Sequence, residues 1–247
     1  MPKIRADALL PKLGLAPSRS AASNLIREGK VTLPDGTPIR KAGQLVDEDC
    51  PLNVTAGQLY VSRGAGKLLA AFDAFPLDVS GKTALDLGAS TGGFTQVLLE
   101  HGAARVYAVD VGSDQLHPSL REDARVISLE KTNARELTRD LIPEPIDVLT
   151  GDLSFISLTK VLPACAPLMA KEFVAILLIK PQFEAGHDLV GSGGVVRSPE
   201  VREMCVQKIR DFAEEELGWK HLHTLPSPVL GPDGNQEYLS IFTSNNS

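Results

Sequence analysis

Two lysines and two acids stand out in this 247-residue chain because of where they fall. Asp152 follows the apolar run Ile146–Thr150, and Lys180 closes the apolar run Phe173–Ile179. Glu237 lies in Asn235-Gln236-Glu237-Tyr238, at the start of a last strand, and Lys67 opens a helix after Arg63-Gly64-Ala65-Gly66. A lysine behind seven apolar residues is expected to be buried, and a carboxylate neighbour then controls its charge. Such a lysine takes up a proton or stabilises negative charge as it develops. Plainer readings stand beside these: a strand-end lysine reaching water, an exposed first-turn lysine at 67, a turn acid at 237.

The second signal is Leu85-Asp86-Leu87-Gly88-Ala89-Ser90-Thr91-Gly92-Gly93-Phe94, an apolar strand running through a glycine-rich turn into a helix. Glycines there let a backbone approach a ligand closely. Asp110 ends the next strand, 18 residues after Gly92, where an acid can accept hydrogen bonds from a ribose diol. The spacing is not GxGxxG, and Asp86 at the strand end would repel a pyrophosphate. The loop Gly88, Ser90, Gly92 with Asp86 suits a cationic ligand instead, such as a sulfonium bearing an amino acid. Phe94 reads either as a ligand contact or as core packing at a helix start.

These residues need a frame to bring them together. Strands are expected at Thr83–Leu87, Arg105–Asp110, Arg125–Leu129, Ile146–Thr150, Phe173–Lys180, His221–Leu225 and Tyr238–Phe242. Helical patterns fall between most of them, at Lys67–Phe75, Phe94–His101, Ala134–Leu141, Ser157–Leu168 and Pro199–Leu217. Near-continuous apolar strands alternating with helices predict an α/β fold, a Rossmann-like, mostly parallel sheet of about seven strands covered on both faces. Ligands on such sheets sit beyond the carboxyl ends of the strands, which puts Asp152 and Lys180 on one rim. The loop Gly191–Arg197 is expected to be mobile.

The first 58 residues read as a separate small α+β unit, leaving 59–247 for the large domain. A short helix is expected over Arg5–Leu13, and a second runs from a Ser18 cap to Glu28, where Gly29 offers a left-handed stop. Ala21, Ala22, Leu25 and Ile26 form its apolar face; Arg19, Ser23 and Arg27 recur every four residues on another. Short strands around Val31–Leu33 and Leu52–Val54 follow, and Thr55–Gln58 is a linker. Net charge over the chain is −6, yet from Met1 to Lys41 eight basic residues face three acidic ones. Arg5, Arg19, Arg27 and Lys30, with Arg63 further on, are the candidate phosphate contacts.

Composition removes several classes. The chain is 43% hydrophobic and 23% charged, ordinary for a globular protein. No apolar run approaches the roughly 18 residues of a membrane span, and no signal peptide is expected. Cys50, Cys165 and Cys205 are odd in number, far apart and without a CxxC, so neither a disulfide scaffold nor a metal site is expected, and the default compartment is the cytoplasm.

Read together, these residues resemble the hemolysin A / TlyA family of ribosomal RNA 2'-O-methyltransferases, whose catalytic domain is similar to that of FtsJ-type methyltransferases. Ser18–Val31 resembles an S4-type RNA-binding domain. Tyr60–Leu68 is similar to the family signature, with Ala65 where the family usually shows a second consecutive glycine. The resemblance implies a class I methyltransferase sheet and a tetrad of Lys67, Asp152, Lys180 and Glu237. It implies S-adenosylmethionine contacts at Gly92, Phe94, Asp110 and Asp152. Asn133 matches the position that meets the adenine, where FtsJ-type enzymes often carry an acid. The implied substrate is a ribose of ribosomal RNA, free or in a subunit, typically of a cytidine; membrane and metal have no part, and protein partners are left open. Two other readings remain: a ribosome-assembly factor with a silent transferase fold, and the cytolysin of the family's older name.

Overall fold

A computed structural model describes residues 2–13, 15–16, 19–55, 60–231 and 233–245, without the side chains of Ser20, Ala21 and His187. The expected cap at Ser18, the place of Ala21 on an apolar face, the linker residues 56–58 and the domain boundary at 58/59 therefore lie outside the described residues. Contacts divide the chain into two units, Met1–Leu59 and Tyr60–Ser247.

The first unit runs β1 (Lys3–Arg5), α1 (Ala6–Lys12), α2 (Arg19–Arg27), β2 (Val31–Thr32), β3 (Leu45–Asp47), β4 (Asn53–Val54). Its first residues depart from the expected helix. Arg5 ends a strand because Lys3-Ile4-Arg5 pairs antiparallel with Leu45–Asp47, and α1 begins only at Ala6. The expected stop of α2 holds: Gly29 has φ +71°, and the Gly29 and Lys30 amides donate back to Ile26 and Leu25. Leu9, Leu10, Ala22, Leu25, Ile26, Val31 and Ile39 bury against one another as the core of this unit.

The second unit is built on a seven-stranded sheet. Its strands are β5 (Thr83–Leu87), β6 (Arg105–Val109), β7 (Val126–Leu129), β8 (Ile146–Gly151), β9 (Met169–Ile179), β10 (Trp219–Pro226) and β11 (Tyr238–Ser244). They lie in the order β10-β11-β9-β8-β5-β6-β7. Pairing is parallel from β9 through β7, while β11 runs antiparallel to both of its neighbours. The central strands are apolar on both faces, as a sheet covered on both sides requires. Leu85, Leu87, Leu149, Leu177 and Ile179 sit in one core cluster; Ala84, Val148, Ile176 and Leu178 sit in the other.

The helices are α3 (Ala65–Ala74), α4 (Gly93–Glu100), α5 (Pro118–Arg121), α6 (Leu162–Cys165), α7 (Pro181–Glu184) and α8 (Pro199–Asp211). Two expected helices are broken. Ala134–Leu141 shrinks to a single 3-10 turn, Ala134–Glu136, because Leu137 turns extended (φ −65°, ψ 135°). Ser157–Leu168 is cut into a 3-10 turn, the short α6 and another 3-10 turn, with Pro163 and Pro167 opening the last two, since proline tolerates only a first turn. The Pro199–Leu217 helix loses its last turn, where Phe212–Glu216 widens into a π-turn.

Candidate active site

The sheet order brings the charged residues together. β8 and β9 are parallel neighbours, so Asp152 and Lys180, which follow them, emerge on one rim. β11 runs the other way, and Tyr238 pairs with Ile179, so Glu237 arrives beside Lys180 at that same rim. Lys67 comes from the first turn of α3. The Asp152 amide donates to Leu87 O at 2.9 Å, fixing the acid at the end of β5.

Four side chains form one cluster. Lys180 Nζ lies 2.6 Å from Asp152 Oδ1, and Lys67 Nζ lies 3.1 Å from Asp152 Oδ2 and 2.8 Å from Glu237 Oε2. Lys180 Nζ also donates to Ser154 Oγ at 2.9 Å. Lys67 and Lys180 are each 7% exposed and Glu237 is 0% exposed, so every charge here depends on its partner. Burial pushes the Asp152 carboxyl up, but the Lys180 and Lys67 ammoniums outweigh it and hold the group below the ordinary carboxylate range.

The glycine-rich loop closes the other side of the same cleft. Gly88 (φ +75°) passes so near the strand that a Cβ would lie 2.7 Å from Asp152 O. A Cβ on Gly92 (φ +99°) would collide with Leu120 Cδ1, so both positions need glycine for shape and space. Asp110 reaches back to the loop: Oδ2 accepts the Ser90 amide at 2.8 Å and Oδ1 the Gly112 amide at 2.7 Å. Ser90, Gly88, Phe94, Asp152, Lys67 and Lys180 all line a cleft of about 310 Å³. Phe94 is only 4% exposed: it packs in the core, as one of its sequence readings expects, and also lines the cleft. Asn133 uses Oδ1 to cap a turn, accepting from the Arg135 amide at 3.1 Å.

Asp86 departs from expectation. It lies under the loop rather than in the cleft: it is 0% exposed, and its oxygens accept the Thr95 hydroxyl at 2.7 Å and the Thr150 hydroxyl at 3.0 Å. Burial first, and then the charge of Asp152, push its carboxyl up to about 6, against the pull of the two threonines.

Sequence reasoning missed several residues around the cluster. Phe155 is 90% exposed with φ +63°, a strained backbone for a bulky side chain. Its ring centroid lies 5.1 Å from that of Phe183, and Lys180 Nζ lies 6.0 Å from the Phe183 centroid. Glu184 holds the segment beyond Phe155, accepting from Ser157 Oγ at 2.6 Å and the Leu158 amide at 2.8 Å. Val111, directly after Asp110, is 72% exposed. No pattern of period or composition marks these residues; each is found by exposure or contact alone. The loop Gly191–Arg197 is anchored rather than free. The buried Asn235 side chain accepts from the Val196 amide and donates to Gly194 O, both at 2.9 Å.

The candidate RNA contacts are exposed, except the half-buried Lys30, but not all are unpaired. In the first unit Arg5 donates to both oxygens of the buried Asp7 at 3.0 and 2.8 Å, and Arg19 lies 3.3 Å from the same carboxylate. Lys30 pairs with Glu28 at 2.9 Å, while Arg27 is exposed on α2. In the second unit Arg63 is exposed and lines the cleft. Among the described residues there is no cluster of three His, Cys, Asp or Glu able to hold a metal, and no helix long and apolar enough to cross a membrane.

Comparison with known proteins identifies the family. The FtsJ-like methyltransferase family model matches residues 60–243, and the S4 domain model matches residues 4–49. The chain is 48% identical over 239 residues to the 16S/23S rRNA (cytidine-2'-O)-methyltransferase TlyA of Mycobacterium tuberculosis, covering 96% of this chain and 88% of that protein. It is 40% identical to Hemolysin A of Brachyspira hyodysenteriae over 97% of this chain and 99% of the other. A solved hemolysin-named protein from Streptococcus thermophilus superimposes with a TM-score of 0.75 at 38% identity, covering 100% of this chain and 90% of that one.

The Asp86 shift has a sign that can be checked. An acid whose folded value is raised contributes stability that is complete below the unfolded value and lost as pH rises through the folded one, here about 6. Ionised Asp86 then costs the fold on the order of 3 kcal/mol at pH 8. Asp86→Asn is expected to flatten the fall of melting temperature between about pH 4 and pH 6. An unchanged pH slope would remove Asp86 as its source.

Proposed function

The chain belongs to the FtsJ-like methyltransferase family, and on that premise we propose that it transfers a methyl group from S-adenosylmethionine to a ribose 2'-hydroxyl of ribosomal RNA, that of a cytidine. The observation that carries the proposal is the cluster of two ammoniums and two carboxylates at the mouth of a glycine-lined cleft. It supports chemistry on a hydroxyl, which needs help to shed a proton and no protein nucleophile. The three cysteines fit no such role: Cys165 and Cys205 are buried, with thiols pushed up to about 12 and about 11, and Cys50 lies in the first unit.

Several features support the methyl donor as occupant of the cleft. Gly88 and Gly92 let the loop turn tightly against Asp152 and Leu120, Asp110 offers carboxylate oxygens for a ribose diol, and Val111 and Phe94 offer apolar surface. Asn133, though its carbonyl caps a turn, keeps an amide N–H for an adenine edge. When bound, S-adenosylmethionine supplies an electrophilic methyl on a sulfonium. Asp86, wholly buried, ties α4 to β8 through Thr95 and Thr150 rather than touching the ligand.

Lys180 acts on the 2'-oxygen. Its ammonium, 2.6 Å from Asp152, stabilises the negative charge that develops on the 2'-oxygen as the methyl group arrives, and the hydroxyl proton passes to solvent water. Asp152 orients Lys180 and, through its other oxygen, Lys67. Glu237 balances the second ammonium, and Lys67 with Glu237 seats the ribose. Phe155, exposed and directly after the cleft residue Ser154, offers a face on which an RNA base stacks, backed by Phe183. Arg63 meets a phosphate beside the cleft, while Arg5, Arg19, Arg27 and Lys30 hold the RNA backbone from the first unit. Asp7, by clamping Arg5 and Arg19, sets the direction of two of those contacts. The reading places the protein with ribosomes, in the cytoplasm.

The direct experiment is tritiated-methyl transfer to naked ribosomal RNA, separate subunits and whole ribosomes, with the methylated ribose mapped by mass spectrometry. Methyl on a ribose 2'-oxygen is expected; cofactor binding without transfer to any substrate would favour an assembly factor instead. Lys180→Ala should lower turnover by about 10²- to 10⁴-fold and leave cofactor affinity nearly intact. Wild-type turnover in that variant would remove Lys180 from the role. Phe155→Ala should cost about 1–3 kcal/mol in kcat/KM for RNA with cofactor binding unchanged. If RNA affinity and turnover do not move, the ring is not a base platform.

A further inference from the structure

Gln182 has no part in the chemistry assigned above, yet it is bonded into the charged cluster. Its Nε2 donates to Glu237 Oε1 at 3.3 Å, while Glu237 Oε2 accepts from Lys67. Asp152 then joins Lys67 to Lys180. Lys180 and Gln182 are separated in the chain only by Pro181. The contacts therefore close a ring: Lys180, Asp152, Lys67, Glu237, Gln182, and back through one proline. The fixed φ of Pro181 makes that last link stiff.

Two further facts single out the amide. The carboxylate of Glu237 is wholly buried, and a Cβ on Gly231 would lie 2.7 Å from Oε1, so that oxygen has little room for another partner. Gln182 Oε1 is itself buried without a hydrogen-bond partner. An unpaired buried carbonyl is unfavourable, and an apolar side chain of the same length would avoid it. What the glutamine adds over such a side chain is its bond to Glu237.

We propose that Gln182 is a positioning residue for methyl transfer. Acting through Glu237 and Lys67, it fixes the Asp152 carboxylate and with it the Lys180 ammonium against the reacting hydroxyl. The inference rests on the methyl-transfer reading for its kinetic consequences, and on the ring alone for its structural ones.

Two substitutions in the full chain test it. Gln182→Met keeps length and volume and removes the amide; Gln182→Glu keeps length and puts a third carboxylate on the ring. Gln182→Met should lower kcat roughly tenfold to a hundredfold, with KM for S-adenosylmethionine and for RNA nearly unchanged. Gln182→Glu leaves the ring one negative charge in surplus, which a bound proton relieves, so the acid limb of kcat should move to higher pH. Spectra of protein labelled with ¹³C at the lysine ε-carbons, recorded without RNA, should show the Lys67 and Lys180 signals displaced in both variants. Wild-type kcat in Gln182→Met, or a loss of kcat accounted for by a matching loss of melting temperature, overturns the proposal. Unmoved lysine signals overturn it as well, even if the wild type proves inactive on RNA, an outcome that by itself would count only against the methyl-transfer reading.

Discussion

One carboxylate, Asp152, holds two buried ammonium groups: Lys67 on Oδ2 and Lys180 on Oδ1. At 7% exposure each lysine needs a counter-charge, because an unpaired buried charge costs several kcal/mol. Lys67 needs Glu237 besides, since two ammoniums on one carboxylate leave a positive excess, and the second acid cancels it. The central topology of the sheet meets that requirement. Asp152 and Lys180 must end neighbouring parallel strands, and β11 must run against them so that Glu237 enters at their carboxyl ends.

The short segment after Lys180 shows how much depends on this corner. Pro181 begins a one-turn helix, and each residue of that turn reaches a different part of the site. Gln182 bonds Glu237, Phe183 backs the exposed Phe155, and Glu184 ties down Ser157 and Leu158. Lys208 steadies the turn from α8, donating to Glu184 O at 2.8 Å. Gly88 runs so close to Asp152 that a Cβ there would lie 2.7 Å from Asp152 O, so the loop and the tetrad share one wall. A change in the position of Asp152 would be felt by both.

Much of this was legible in the sequence because the signals were local and strong. The apolar runs named all seven strands of the large unit to within a few residues, and their order of ends implied that Asp152 and Lys180 share a rim. β9 begins at Met169, four residues before the expected start, because Lys171 and Glu172 lie at its exposed end, where charge does not forbid pairing. Helical periodicity failed where prolines cut Leu158–Leu168, and at Ala134, where one turn was all that formed. Asp86 was read from its place beside the loop, but which way a strand-end side chain points is decided by partners such as Thr95 and Thr150, nine and 64 residues away. Phe155 left no trace at all, since a left-handed backbone and an exposed ring are properties of the folded chain.

The central claim is that the charge of Asp152, and not only its shape, organises the site. Asp152→Asn preserves the size of the side chain and removes that charge. Single-turnover methyl transfer to ribosomal RNA by this variant, under saturating cofactor and RNA, tests the claim most directly. The account predicts a loss of at least about a hundredfold in the transfer rate. A variant that transfers methyl at the wild-type rate would contradict it.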